Sequence, residues 1–330
     1  MSKITAILVS SALTLSLTGC MSNATPEVRA FEGLTATCET YKGGPEIDAV
    51  KVTADPNKVP TVEFATAEAG STIKSPLANI KTAQTKIVRD GNGPAFVGDS
   101  LITIEYAVFS STSGTLLTSS KWDGTDAASQ VFDSVTTKQF CDALSGVKQG
   151  SIVAFALPAD PDDPEGSLFV LELKKVYLPH ANGPSNAPES GMPAVVLAPK
   201  TGQPGLIQPS FAPPKEFKRS TLITGKGDAI KIGDSVTLNY SGWVWTEEIG
   251  NPFDSSWPQS EAEPTASPET FTISEANLIP GFVKALDGIT VGSQVIAVMP
   301  PDVAYGAAGQ GPIPGNATLI FVIDVLGINK

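Results

Sequence analysis

Short runs of alternating apolar and polar residues mark the last third of the chain. Ser235–Tyr240, Gln294–Met299 and Thr318–Leu326 each predict a strand. Between the first two, Pro280 to Leu286 predicts one short helix. Pro280 suits its first turn, Gly288 lies just past its end, and Phe282 and Leu286 fall on one face that packs under the sheet. Several antiparallel strands wrapped over one short helix predict an α+β class.

The same pattern occurs earlier in the same order. VGDSLITIEY from Val97 matches IGDSVTLNY from Ile232. GVKQGSIVAFALP from Gly146 matches GITVGSQVIAVMP from Gly288, and FVLELKKV from Phe169 matches FVIDVLGI from Phe321. The lead-in repeats too, ending in a Gly-X-Gly turn at Gly91 to Gly93 and again at Gly225 to Gly227. A whole domain is therefore expected twice, at 45–179 and 191–330, with 180–190 as a solvated linker rich in Pro, Ser, Asn and Gly.

Composition agrees with two domains. The chain has 330 residues, 41% of them hydrophobic, which is enough for two cores. Thirty glycines and 27 prolines favour turns and sheet over long helices. A net charge of -12 argues against a nucleic-acid partner and against nonspecific binding to anionic lipid. The one histidine, His180, sits at the linker edge, and no cluster of His, Cys or carboxylates at ligand spacing predicts a metal; no cofactor is expected.

The start of the chain reads as an export signal. Lys3 precedes an apolar run from Ile4 to Leu17, too short for a comfortable membrane span, and LTGC ends at Cys20. Small residues before a cysteine at that place look like a bacterial lipobox, with 1–19 removed and Cys20 carrying the lipid. The bland alternative is an ordinary secreted protein with a chance cysteine. Two acyl-chain linkages would anchor the protein stably in a membrane where one would not. Residues 20–44 follow as a tether. The remaining cysteines, Cys38 and Cys141, are either a disulfide or two separate buried thiols; an even number outside the cytoplasm favours the bond.

GDSVTLNYSG, FDSS, LIPGFVKALDG, VGSQVIAVMPPDVAYG and IPGNATLIFVIDVL occur in that order from Gly233 to the end. Together they resemble the FKBP-type peptidyl-prolyl cis-trans isomerases, closely in the C-terminal third and weakly in the middle. The resemblance implies two tandem domains, each a twisted antiparallel half-barrel sheet around one helix. It implies pocket walls at Tyr240, Phe253 and Phe321 and a floor at Phe282, where the best-known members carry tryptophan. Leu278 and Ile279 precede the helix, with the Ile279 N–H binding a substrate carbonyl. Tyr305 is the implied hydroxyl donor, Ile313 the apolar flap contact and Asp254 the acid at the pocket edge. Each has a plainer reading: Phe282, Phe321 and Phe271 as core, Asp254 as a turn former, Tyr305 as a loop aromatic. Their shared order is what favours the pocket.

Turning an Xaa-Pro bond means crossing a barrier of about 18–20 kcal/mol set by amide resonance. The twisted amide is less dipolar than the planar one, so a dry aromatic pocket with a few aligned donors favours it without nucleophile, metal or proton transfer. The implied partners are proline-containing exported polypeptides and macrolide inhibitors. The segment 255–270 is longer than in minimal family members and either overhangs the pocket or loops outward.

The earlier repeat keeps Phe140 at the floor position but has Thr136 and Thr137 for Leu278 and Ile279, and Leu117-Thr118 for Phe253-Asp254. Its loop between Pro158 and Phe169 is short and acidic, without tyrosine or an Ile-Pro turn. A non-catalytic copy is expected there. The expected whole is an extracytoplasmic, lipid-anchored isomerase that speeds slow prolyl steps in folding. The competing reading is a holdase or scaffold lipoprotein that only binds.

Overall fold

The computed structural model describes residues 38–64, 75–187, 189–199, 201–246, 249–258 and 265–329. The signal-type segment, Cys20 and most of the tether lie outside the described residues, as does 259–264 of the long segment.

The chain builds two sheet-rich halves with few helices. The first contains α1 (Pro45–Asp48), β1 (Val50–Thr53), β2 (Thr61–Phe64), β3 (Gln84–Arg89), β4 (Ser100–Ser110) and β5 (Leu116–Ser119). It continues with β6 (Ala128–Phe132), α2 (Lys138–Leu144), β7 (Ile152–Leu157) and β8 (Ser167–Val176). The second contains β9 (Val195–Leu197), β10 (Pro204–Leu206), β11 (Lys218–Ile223), β12 (Ser235–Val244), β13 (Asp254–Ser255) and β14 (Glu269–Thr272). α3 (Pro280–Leu286), β15 (Gln294–Met299) and β16 (Leu319–Asn329) complete it. The main sheets are both six-stranded, ordered β3-β7-β8-β4-β5 with β6 also on β4, and β11-β15-β16-β12-β13 with β14 also on β12. The two Gly-X-Gly turns share a cause as well. A Cβ on Gly91 would lie 2.2 Å from the Gln149 carbonyl oxygen, and one on Gly225 would lie 2.1 Å from that of Val291.

β12 runs beyond Tyr240 to Val244, and β16 is buried along nearly its whole length. The reason is that both faces of each sheet are covered. One face of the second sheet packs on α3, where Phe282, Val283 and Leu286 meet Val295, Ala297, Phe321 and Ile323. The opposite face presents Trp243, Ile296, Val298, Ile320 and Val322 to Met192 and Leu206, which flank and end the β9–β10 hairpin. The first half repeats this arrangement: α1, Val50 and Leu77 close over Phe109, Trp122, Ile152 and Leu168. Burying one such large apolar side chain contributes about 1.5–3 kcal/mol, so the second layer is a substantial part of each core.

The described residues of the linker 180–190 are mostly exposed, but its backbone is tied to the second half. Its Ala181 N–H donates to the fully buried Asp324 carboxylate at 2.7 Å, and its Asn182 and Asn186 N–H groups donate to the Gly292 and Leu222 carbonyls. Gly183 lies flat on Thr224, where a Cβ would meet the carbonyl oxygen at 1.8 Å. Polar composition looks solvated, but here backbone amides find acceptors on the second sheet. The end of the tether is likewise tied down. Cys38 is bonded to Cys141 of α2 with Cα atoms 5.4 Å apart, Tyr41 packs on the first core, and Glu39 N–H donates to the Asp142 carboxylate at 2.7 Å.

Candidate functional site

The site is built on the concave side of the second sheet, over α3. Pro280 opens that helix from an extended Ile279, and Gly288 follows its end at φ 77°. Arg219 donates to the Lys284, Ala285 and Asp287 carbonyls, satisfying the orphan acceptors of the last turn. α3 presses close to the sheet because residue 281 has no side chain; a Cβ there would meet Met299 Sδ at 2.9 Å.

Phe282 therefore projects from the helix into a cluster of rings. It lies 5.3 Å from Phe321 at 87°, 6.1 Å from Phe271 and 6.3 Å from Tyr240. Phe253 stands 5.8 Å from Phe321 at 88°. These edge-to-face contacts hold the walls without the rings collapsing into a stack. Gly242 of β12 makes room beneath them: a Cβ there would sit 2.7 Å from Phe321 and 2.8 Å from Phe253. Tyr240, Phe282, Ile313 and Phe321 are buried, while Phe253, Leu278, Ile279 and Tyr305 are half-buried and pack on the same core.

The polar groups are few. The Tyr240 hydroxyl donates to Asp254 at 2.8 Å and also approaches Glu269 at 3.3 Å. Desolvation, then its hydrogen bond to Asp254 and the two carboxylate charges, hold the Tyr240 hydroxyl far above the usual phenol range. Burial, helped by the charge of Asp254, also raises that of Tyr305. Both phenols thus stay protonated as donors at neutral pH. Among the described residues, neither the Tyr305 hydroxyl nor the Ile279 N–H has a hydrogen-bond acceptor. The Ile279 carbonyl, by contrast, accepts from Phe282 and Val283 N–H. Two donors are thereby left available beside the aromatic cluster.

The structure brings Tyr240, Phe253, Asp254, Leu278, Ile279, Phe282, Tyr305, Ile313 and Phe321 to one core and its rim. Cys38 and Cys141 lie in the other half, and Cys20 is outside the described residues. The described ends of 255–270 are tied elsewhere: Gln203 donates to the Pro258 carbonyl, and the Thr265 hydroxyl donates to Asp133 of the first half at 3.0 Å.

Three site residues escape the motif reading. Gly242 shows only once Phe253 and Phe321 are seen over it. Glu269 shares a face of β14 with Phe271, and that two-residue spacing was its one available signal. The third is Ala297, opposite Phe321 in the ladder; its counterpart opposite Phe169 is Phe155. Phe155 stacks on Phe169 at 4.8 Å and touches Phe140 edge-on at 5.4 Å. In the first half a ring therefore stands where the second half has the methyl of Ala297.

Residues 226–326 match the family model described as FKBP-type peptidyl-prolyl cis-trans isomerase. Over 104 residues the chain is 37% identical to FK506-binding protein 1A of Aspergillus fumigatus, covering 31% of this chain and 85% of that protein. It is 38% identical over 125 residues to the FKBP-type peptidyl-prolyl cis-trans isomerase FkpA of Escherichia coli, covering 36% of this chain. The chain spans 42% of the length of that relative. The crystal structure of FkpA from Escherichia coli overlaps 34% of this chain and 48% of its own at 33% identity, with a TM-score of 0.30.

Proposed function

This chain belongs to the FKBP-type peptidyl-prolyl cis-trans isomerase family, and on that premise we propose that it is a prolyl isomerase acting on exported, proline-containing polypeptides. The reaction is carried by the second domain, 191–330. A proline ring enters the hollow between Tyr240, Phe253 and Phe321 and rests on Phe282. The Ile279 N–H holds a substrate carbonyl, and the Tyr305 hydroxyl donates to a second one. Leu278 and Ile313 close the apolar rim, and Asp254 holds the Tyr240 ring in place through its hydroxyl. With water displaced, the less dipolar twisted amide is favoured over the planar one. The same hollow is a receptor for macrolide inhibitors.

The observation that carries this reading is the cluster of Tyr240, Phe253, Phe282 and Phe321 rings beside two donors that have no protein acceptors among the described residues. The first domain, 45–179, is read as a non-catalytic copy, because Phe155 occupies the matching space. A scaffold or client-holding role suits that half. Residues 1–19 are proposed as a signal segment, with the chain anchored to the membrane through lipid on Cys20. No helix among the described residues is long and apolar enough to cross a membrane.

A protease-free isomerisation assay on short Xaa-Pro peptides tests the activity. The full chain should accelerate exchange and Phe253→Ala, verified as folded, should not; equal rates would remove the assignment. Cys20→Ala should move the protein from the membrane to the soluble fraction with its isomerase rate unchanged.

A further inference from the structure

Two carboxylates converge on one hydroxyl at the edge of the ring cluster. Tyr240 OH lies 2.8 Å from Asp254 Oδ2 and 3.3 Å from Glu269 Oε1. A phenol has one proton, so it satisfies one of them at a time, and the shorter contact goes to Asp254. Glu269 keeps its acceptor capacity and its charge. It is exposed, and alternation along β14 puts it on the same face as Phe271, which packs edge-on against Tyr240 and Phe282. Among the described residues, no lysine or arginine forms an ion pair with either acid. The rim thus carries two like charges with one shared hydrogen and no counter-ion.

The first half lacks this feature. Its position opposite Ile104, equivalent to that of Glu269 opposite Leu238, is Ala128. Its counterpart of Asp254 is Thr118. The paired acids are found with the open hollow and are both gone where the hollow is filled, so they go with the site and not with the sheet.

We propose that Glu269 is a specificity-determining residue, which together with Asp254 makes the prolyl site prefer peptides with a lysine or arginine next to the proline. This rests on the isomerase reading of the hollow. A cationic side chain beside a bound proline lies over the rim and relieves the repulsion between the acids. A glutamate in that place adds a third like charge. The pair is solvent-exposed, so the gain is modest and falls with salt.

The test compares the full chain on two peptide series, one with Lys, Leu or Glu before the proline and one with them after it. The expected Lys-to-Leu ratio of kcat/KM is about three- to tenfold in at least one series at low salt, shrinking toward unity near 1 M salt. Glu269→Gln should reduce the ratio, and Glu269→Lys should invert the order of the Lys and Glu peptides. Equal turnover of Lys and Leu peptides by the wild-type chain overturns this inference alone. A lysine preference unchanged in both variants does the same. No turnover of any peptide overturns the isomerase reading and this one with it.

Discussion

The two halves of this molecule have the same strand order and the same helix beneath the sheet, yet they fill the space between sheet and helix with different side chains. In the second, Ala297 faces Phe321 across the ladder and Gly242 lies under Phe321 and Phe253. In the first, Phe155 faces Phe169 and Val108 holds the place of Gly242, paired with Phe169 as Gly242 is with Phe321. Four phenylalanines, 132, 140, 155 and 169, then pack into one cluster of stacked and edge-on rings. The fold supplies the frame in both halves, and a methyl or a hydrogen at two positions leaves the second without the side chains that fill the first.

Exchanging those residues is the strongest way to break the contrast. Ala297→Phe should nearly abolish isomerisation while costing about 1–3 kcal/mol of stability through overpacking. Activity is read on protein shown by its melting curve to be folded. Retained turnover would mean that proline does not bind over β15. Phe155→Ala in the first half should cost about 3–5 kcal/mol and create no isomerase, since Phe253 and the donor loops have no counterparts there.

The disulfide separates the halves by stability. It closes a sequence separation of 103 residues, and constraining an unfolded loop of that size is worth about 4–5 kcal/mol. The second half has Val283 where Cys141 stands. The double change Cys38→Ser with Cys141→Ser should lower the melting of the first half alone, seen by calorimetry. An equal fall in both transitions would mean that they unfold as one unit.

A third contrast concerns charge. Asp324 is fully buried, and desolvation pushes its pKa up to about 6 from 3.8. The fold therefore favours the protonated form. Stability is full below about pH 4 and declines as pH rises to about 6, by about 3 kcal/mol for a shift of this size. Asp324→Asn should flatten that slope and leave the protein more stable at pH 7.5, measured by urea unfolding across pH. Gln294 Nε2 donates to Asp324 Oδ1 at 2.7 Å, and with Asn at 324 the Gln294 amide turns over so that its Oε1, otherwise buried without a partner, accepts from the new Nδ2. The equivalent Glu172 of the first half is partnered by Arg89 at 2.6 Å and Lys174 at 3.5 Å. Glu172→Gln should change stability by less than about 1 kcal/mol, with no gain.

The smallest effect is expected at the donor. Tyr305→Phe keeps the ring and removes one hydroxyl, so a loss of about 0.5–1.5 kcal/mol in transition-state binding should lower kcat/KM several-fold. Activity should stay level across neutral pH, because both Tyr240 and Tyr305 remain protonated there. A titration near pH 7 in the rate would argue for acid-base chemistry instead.

Much of this was legible in the chain, for physical reasons. The helix from Pro280 to Leu286 shows because proline and glycine mark its ends. The repeat shows because turn glycines and core runs must recur for the same sheet to close twice. Strand ends show less well. Alternation predicts a stop at Tyr240, but the residues beyond it are buried on both faces, and two-sided burial erases alternation. The linker's composition reports its exposed side chains and not the partners of its backbone amides. Glu269 falls outside the quoted motifs, and only the hydroxyl of Tyr240 reveals its place. The Phe155 and Ala297 exchange stands in the aligned strings, but its meaning needs the ladder that sets each opposite a phenylalanine.

Gly327 has a role beyond either core. The ring of Tyr177, just past β8, lies where its side chain would be: a Cβ there would sit 2.8 Å from Cδ1. The Tyr177 hydroxyl donates to Asn329 Oδ1 at 2.5 Å, and Lys175 donates to the Ile328 carbonyl. The missing side chain works as the socket of a hinge pin, seating the end of one sheet on the end of the other. Any larger residue at 327 would have to displace the Tyr177 ring, disturbing this contact between the halves while leaving every residue of the site's wall intact.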